Sequence, residues 1–399
     1  MNLISKKILD TNIYRKKNSN FCLYFILFSI LGIALRIGVS KFGYNFDYIA
    51  WEENLDLFKN GESFYKHGKY NYSPVWIYIL YFLDSIHLPF VDINSVYRIK
   101  IIIFLSLVDI LIFFLLFREY SLKIGLLFFL NPISIIITGL HNQFDNFAIL
   151  AGFFAILLYQ KYYKNNYGFV ISLIIFGFSL CIKHVLFLFP IWLAIKEKNL
   201  LKKILIILIP FFIFLISFLP YLGSDFQFIE KNVFNYTSFN NGPFWGMFAS
   251  KVVDMYIHRK LMFIITLLLL GLFFQNRSIK ESFYLYLIST VVFSSAISNQ
   301  YFIIPLIAIS IFWNSKYFIY CLLCCLLFLV DGSALNIDFI VDLLNWDRLS
   351  TKIAYYPIIL FLLIGLLETV FGKQKVNNFF FTITKWLFDK IKSQLTFLK

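Results

Sequence analysis

Apolar and polar residues in this chain fall into long blocks, not into the short alternations of a soluble fold. Runs at 21–39, 75–90, 101–117, 125–139, 146–162, 168–195, 203–221, 261–275, 283–297, 301–314, 317–330 and 353–371 are apolar almost throughout. A hydrocarbon core about 30 Å thick takes roughly 20 such residues per helix, and fewer where protein surrounds the helix. The pattern predicts an all-α polytopic integral membrane protein of about 11–13 transmembrane helices. The spread arises because CIKH interrupts 168–195. A polar break at that depth is tolerated only where protein or a water-filled cavity lines it.

Charge orients the blocks. Lys6, Lys7, Arg15, Lys16 and Lys17 precede the first run, which places residues 1–20 in the cytoplasm by the positive-inside rule. The basic KEKNLLKK at 196–203, NRSIK at 276–280 and GKQK at 372–375 fall on the same side. Segments 40–74, 222–260 and 331–352 are then external. Core helices occupy 75–221 and C-terminal helices 261–371, with no soluble domain boundary between them. Parity fails between 75 and 195 if every run crosses once, so either 75–90 or one half of 168–195 stops short of crossing. The end of the chain, 372–399, spaces apolar and basic residues as an amphipathic helix lying on anionic lipid.

Composition agrees with a membrane class. Of 399 residues 60% are hydrophobic and 15% charged, and the mean hydropathy is +0.76, whereas soluble domains are about a quarter charged. The net charge of +14 lies mostly beside apolar runs and implies no nucleic acid. Cys22, Cys181, Cys321, Cys324 and Cys325 sit in apolar runs without His or acidic partners and read as small membrane residues. The basic start leads into no small-residue cleavage site, so no cleaved signal is expected.

Ionisable and amide groups at membrane depth or its edge are costly and mark sites by default. Asp47, in YNFDYIAW, lies some eight residues beyond the first run, at the outer interface; its plain alternative is a wet loop carboxylate. The following WEENLDLFKNGESFY puts Trp51, Leu55 and Phe58 on one helical face. Gly61 closes that helix, and Pro74 starts the next. The first external loop is therefore expected to be ordered and partly helical. In NPISIIITGLHNQFDN, Asn131-Pro132 breaks a helix and His141, Asn142, Gln143 and Asp145 follow. Such groups suit hydroxyl recognition, or else they form a short loop with a helix cap. Lys183 and His184 interrupt an apolar run; they either snorkel to a headgroup or neutralise an anion. Asn299 and Gln300 mark an external turn. Phe244 and Trp245, in NNGPFWGM, either cover a cavity or, by the safer reading, sit in an interfacial aromatic belt.

Taken in order, these segments resemble the GT-C superfamily of polytopic glycosyltransferases, and within it the catalytic subunit of GPI mannosyltransferase I and its bacterial relatives. YNFDYIAWEENLDLFKNGESFYKHGKYNYSPV looks like that family's D-x-D-Y, amphipathic helix, G-x-S-P-Y and Y-R-Y-T-P-L. LLFFLNPISIIITGLHNQFDN is similar to its L-L-N-P segment and polar turn. GFSLCIKHVLFLFP looks like its G-F-A-x-H-x-K-x-Y-P stretch, and NQYFIIP like a Q-Y-x-x-x-x-P pattern. Together they cover about a quarter of the chain and anchor residues 40–310. The chain departs from the family at Asn45-Phe46-Asp47, where D-x-D would supply two carboxylates, at Ser63-Phe64 and at Asn71. No metal site or cofactor is assigned, and these departures leave open whether the donor sugar is mannose, as in the eukaryotic enzymes, or another hexose.

The resemblance implies a GT-C-like helix bundle. It would transfer a hexose, with inversion, from a polyprenyl-phosphate-linked donor to a glycan or lipid-linked acceptor at the outer face of a bacterial cytoplasmic membrane. It implies Asp47 as base, Lys183 and His184 on donor phosphate, and Tyr48, Tyr72, His141, Gln143, Asp145 and Gln300 around sugar or acceptor. Positioned carboxylates take protons from attacking hydroxyls, and cations stabilise a departing phosphate. The rival is a transporter or flippase of lipid-linked saccharides, which would spread such groups over both halves of an internal repeat.

Overall fold

In the computed structural model, which describes residues 21–86, 93–236, 242–247, 258–379 and 381–382, every regular element is helical. The basic residues before Phe21 and most of the basic tail lie outside the described residues, as does much of the loop 222–260. The chain begins with α1 (Phe21–Ser40), α2 (Phe46–Lys59), α3 (Val75–Ser85) and α4 (Ile93–Glu119). Then come α5 (Leu122–Phe129), α6 (Pro132–Gly139), α7 (Asp145–Tyr162), α8 (Asn166–Ile182), α9 (Phe189–Lys196), α10 (Leu200–Ile216) and α11 (Leu222–Ile229). The last third holds α12 (His258–Phe273), α13 (Ile279–Val292), α14 (Leu306–Ile311), α15 (Ser315–Val330), α16 (Asp338–Leu344) and α17 (Arg348–Phe371).

Four helices are long and apolar enough to cross a membrane: Cys22–Ser40, Tyr97–Glu119, Leu200–Phe234 and Arg348–Phe371. Two bent pairs raise the number to six if each is one span: α5 with α6, at 45°, and Asn166–Ile182 with His184–Lys196, at 117°. Beside the expected 11–13 spanning helices, four to six among the described residues are long and apolar enough by themselves to cross, consistent with the expected all-α polytopic class. Apolar composition reports burial, and burial need not be in lipid. Helix α13 carries buried residues round nearly its whole circumference, so its surroundings are protein. Helix α3 has only 11 residues, and α8 turns sharply into α9. These are the two places where the charge parity failed.

Local sequence explains the breaks. The Asn131 side chain accepts from the Ile133 amide at 3.0 Å, and Pro132 opens α6, a pairing that starts a helix and cannot continue the previous one. Gly139 sits where an added Cβ would lie 2.4 Å from the Arg36 carbonyl oxygen, so α1 and α6 touch backbone to backbone.

A buried ion pair lies between α1 and α4. Arg36 donates to Asp109 Oδ2 through Nε at 3.1 Å and Nη2 at 2.9 Å, and Thr138 Oγ1 donates to the same oxygen at 2.7 Å. Asn146 Nδ2 donates to Asp109 Oδ1 at 2.6 Å. Nη1 donates to Gly32 O, and Phe129 O and Ser134 Oγ share the second Nη2 hydrogen. A buried charge pair is tolerated only when its hydrogen bonds are this complete. Through Thr138 and Asn146 it ties α1 and α4 to the turn between α6 and α7.

Candidate functional site

That turn, 140–144, meets the first turn of α2 and the break between α8 and α9. Asn45 caps α2, its Oδ1 accepting from the Asp47 amide at 2.9 Å; Asp47 thus stands in the first helical turn, where a carboxylate is favoured. Its orientation comes from aromatic packing below. Trp51 on α2 meets Trp76 of α3 edge-on at 5.4 Å and Phe144 at 5.6 Å, and Trp76 stacks on Phe144 at 4.0 Å. Each such ring pair contributes about 0.5–1.5 kcal/mol beyond burial. The loop 60–74 is equally fixed. Gly61 takes φ +72 after α2, Tyr65 donates to Tyr72 O at 3.1 Å, and Tyr70 donates to Ser73 O at 2.8 Å. Ser73 Oγ donates to Cys181 O at 2.6 Å, which joins the loop to the end of α8. The expectation of an ordered, partly helical loop is met.

Four polar side chains then form one chain of bonds. Gln143 Nε2 donates to Asp47 Oδ2 at 2.5 Å, while Gln143 Oε1 accepts from Lys183 Nζ at 3.2 Å. Lys183 Nζ donates to Asp145 Oδ2 at 2.7 Å, an ion pair with side chains only 6% and 0% exposed. The ammonium also lies over the rings of Phe144, at 4.8 Å, and Tyr72, at 5.6 Å. Lys183 therefore does not snorkel. Nor does Asp145 cap α7: its Oδ2 is committed to Lys183, and Oδ1 is buried without a partner. Tyr72 stacks near His184, with ring centroids 6.4 Å apart.

Asp47 is the member that is partly open. Burial raises its pKa above the ordinary carboxylate value; Lys183 and the Gln143 amide pull it down, Asp145 pushes it up, and the net shift is upward. Such a carboxylate holds a proton more readily than a free one, as suits a group that accepts one from a hydroxyl. The Tyr72 phenol is raised by burial and by both carboxylates, so it stays a donor. Tyr48 donates to Glu52 one turn along α2, on the same helix as Asp47.

No family model, curated protein or solved structure matches this chain.

Of the residues singled out in the sequence, the fold gathers Asp47, Tyr72, Gln143, Asp145, Lys183 and His184. His141 stands apart from the bonded chain. It is 1% exposed, its ring is 6.1 Å from Phe328, and neither nitrogen has a hydrogen-bond partner. Gln300 lies on the 3-10 turn Asn299–Ile303, which packs on α6 and α7. Its neighbour Tyr301 is near enough to raise the Tyr72 phenol. Trp245 leaves the expected aromatic belt: it is buried and donates to Phe293 O at 2.8 Å, because a sequestered indole N–H needs an acceptor. Among the described residues no three His, Cys, Asp or Glu gather as ligands. Lys183 supplies the positive charge that Asp47 and Asp145 face.

Arg98 is a positioning residue that the sequence did not reveal. Its guanidinium donates to Asn142 Oδ1 at 3.0 Å, Ser40 O at 2.9 Å, Gly43 O at 2.5 Å and Leu140 O at 3.1 Å. One side chain thus clamps the end of α1, the approach to Asp47 and the turn bearing Gln143. Asn142 holds φ +58 there, a left-handed conformation that Asn tolerates. The available signal was a lone Arg just before an apolar run.

Proposed function

We propose that the protein is a membrane glycosyltransferase that moves a hexose from a polyprenyl-phosphate-linked donor to a glycan or lipid-linked acceptor at the external face, with inversion. The observation that carries this reading is the partly open Asp47 carboxylate, held by Gln143 beside the buried Lys183–Asp145 pair. Asp47 takes the acceptor hydroxyl's proton as that oxygen attacks the anomeric carbon. The bond from the anomeric carbon to the phosphate oxygen breaks, and polyprenyl phosphate leaves. An ammonium has three N–H donors. Gln143 and Asp145 accept two of them, leaving one for a phosphate oxygen, and Tyr72 and His184 flank it. Sidedness supports the same reading, because the basic residues before Phe21 carry Asp47 outside after one crossing. A lipid-linked donor is the form of activated sugar available there.

One observation favours a second reading. The 117° break at Lys183 resembles the discontinuous helices of transporters, whose sites lie at such breaks, so translocation of a lipid-linked saccharide is the alternative. Mass spectrometry of cell-surface glycans separates them in a deletion strain complemented with wild type or Asp47→Asn. Transfer predicts loss of one hexose on deletion, restored by wild type and not by Asp47→Asn at equal expression. Full restoration by Asp47→Asn would overturn the transferase reading. Accumulation of a completed lipid-linked saccharide on the inner leaflet would favour transport.

A further inference from the structure

The first external loop and the segment following α11 enclose a cleft of about 410 Å³, lined by Gly68, Gln227, Glu230, Lys231, Asn232, Asn235 and Tyr236. The two walls are latched: Asn232 Nδ2 donates to Tyr65 O at 2.6 Å. Residues Glu230–Phe234 form a single π-helical turn, closed where the Asn235 amide donates to Glu230 O at 2.8 Å. Such a turn is an insertion that redirects side chains and recurs at functional sites. Here it brings Gln227, Glu230, Lys231 and Asn235 round one opening. Opposite them, Gly68 takes φ +72 and presents bare backbone.

The chemistry of this lining is specific. Two amide side chains and one carboxylate offer paired donors and acceptors, as vicinal hydroxyls require, and the exposed Tyr236 offers a ring face. Within the lining Glu230 and Lys231 balance in charge, and no ion pair among the described residues joins them; Lys260, at the rim, donates to Tyr236 O at 3.4 Å, so the lining itself carries no net charge. The Tyr65 whose carbonyl holds Asn232 also donates its phenol to Tyr72 O at 3.1 Å, which sets the cleft one residue's reach from the Tyr72 that flanks the Asp47 site. We propose that this cleft is a subsite for a neutral oligosaccharide, holding the acceptor glycan while its terminal hydroxyl reaches Asp47. The role as acceptor subsite rests on the glycosyl-transfer reading; the binding of carbohydrate does not.

The test uses the full-length protein in lipid nanodiscs on an array of neutral hexose oligosaccharides, with anionic oligosaccharides alongside. Wild type should bind neutral chains of one composition, with little dependence on salt. Gln227→Ala with Asn235→Ala should weaken that binding by about tenfold or more, with unchanged thermal unfolding. Gly68→Asn, which narrows the cleft with a side chain that tolerates the left-handed backbone there, keeps the proposal testable if the double variant is unstable; it too should lose binding. Absence of binding by wild type, preference for anionic chains, or full binding by both cleft variants would each overturn the proposal. If the cleft variants lose binding while the protein shows no transfer, the subsite stands and the enzymatic reading fails.

Discussion

Asp47 is held in a state that costs the fold when ionised and suits the base of the proposed transfer. Its pKa is raised mainly by burial, so the folded protein binds that proton more tightly than the unfolded chain, whose value is about 3.9. The stabilisation this gives is fully present below about pH 3.9 and is lost as pH rises through the folded pKa. Asp47→Asn should therefore unfold at the same temperature as wild type at neutral pH, or higher, while its transfer rate falls by about 10²–10⁴. Wild-type transfer should decline as acid protonates Asp47, at a pH above that of an ordinary Asp carboxylate. A clear drop in unfolding temperature for Asp47→Asn at neutral pH would show that the ionised form is structural. Lys183 answers to a different measurement. Lys183→Met leaves Asp145 as a buried, uncompensated charge, a loss of about 3–5 kcal/mol. Adding Asp145→Asn should recover most of that stability in detergent melts. Transfer should stay lost in the stable double variant if the ammonium serves the donor phosphate, and return if the pair is only a strut.

At the level of elements, the site depends on α1 and α6 lying close enough for Arg98 to bridge their ends. Gly139→Ala places a methyl 2.4 Å from Arg36 O and 2.9 Å from its Cα, backbone atoms that cannot rotate away. The helices must separate, at about 1–3 kcal/mol, read as a lowered unfolding temperature. Gly38→Ala on α1 meets nothing within 4 Å and should be neutral or slightly stabilising, since Ala favours helix over Gly. Equal effects from the two would deny the close contact. Arg98→Lys keeps the charge but not the fork that reaches several carbonyls at once. It should therefore lower transfer more than stability, because the turn carrying Gln143 loses its register against Asp47.

Across the whole molecule the decisive question is which face each end of the bundle meets. Asn60 and His67 are exposed between α2 and α3, and Lys198 is exposed between α9 and α10. In a version lacking the five native cysteines, Asn60→Cys and His67→Cys should react with an impermeant thiol reagent on intact cells. Lys198→Cys should react only after permeabilisation. The reverse pattern would move Asp47 to the cytoplasm and remove the reason for a lipid-linked donor. Labelling at all three positions in intact cells would show that α9 and α10 are not joined on the cytoplasmic side.

The sequence by itself determined the membrane class, the ordered first loop, the break at Asn131-Pro132 and the residues worth suspecting, because these follow from local composition. Hydrophobicity, Pro and Gly act where they stand. It could not determine how many apolar runs cross a bilayer: a helix such as α13, enclosed by protein, and one facing lipid use the same residues. Nor could it determine partners. Asp145 could have been read as a cap and Lys183 as a free cation until the 117° turn placed one against the other. Arg36 and Asp109 were each a lone charge in separate apolar runs, 73 residues apart. Arg98 could join three segments only once they were adjacent. Pairing between charges distant in sequence is decided by packing geometry, to which local composition is blind, and at low dielectric that geometry separates a costly buried charge from a working site.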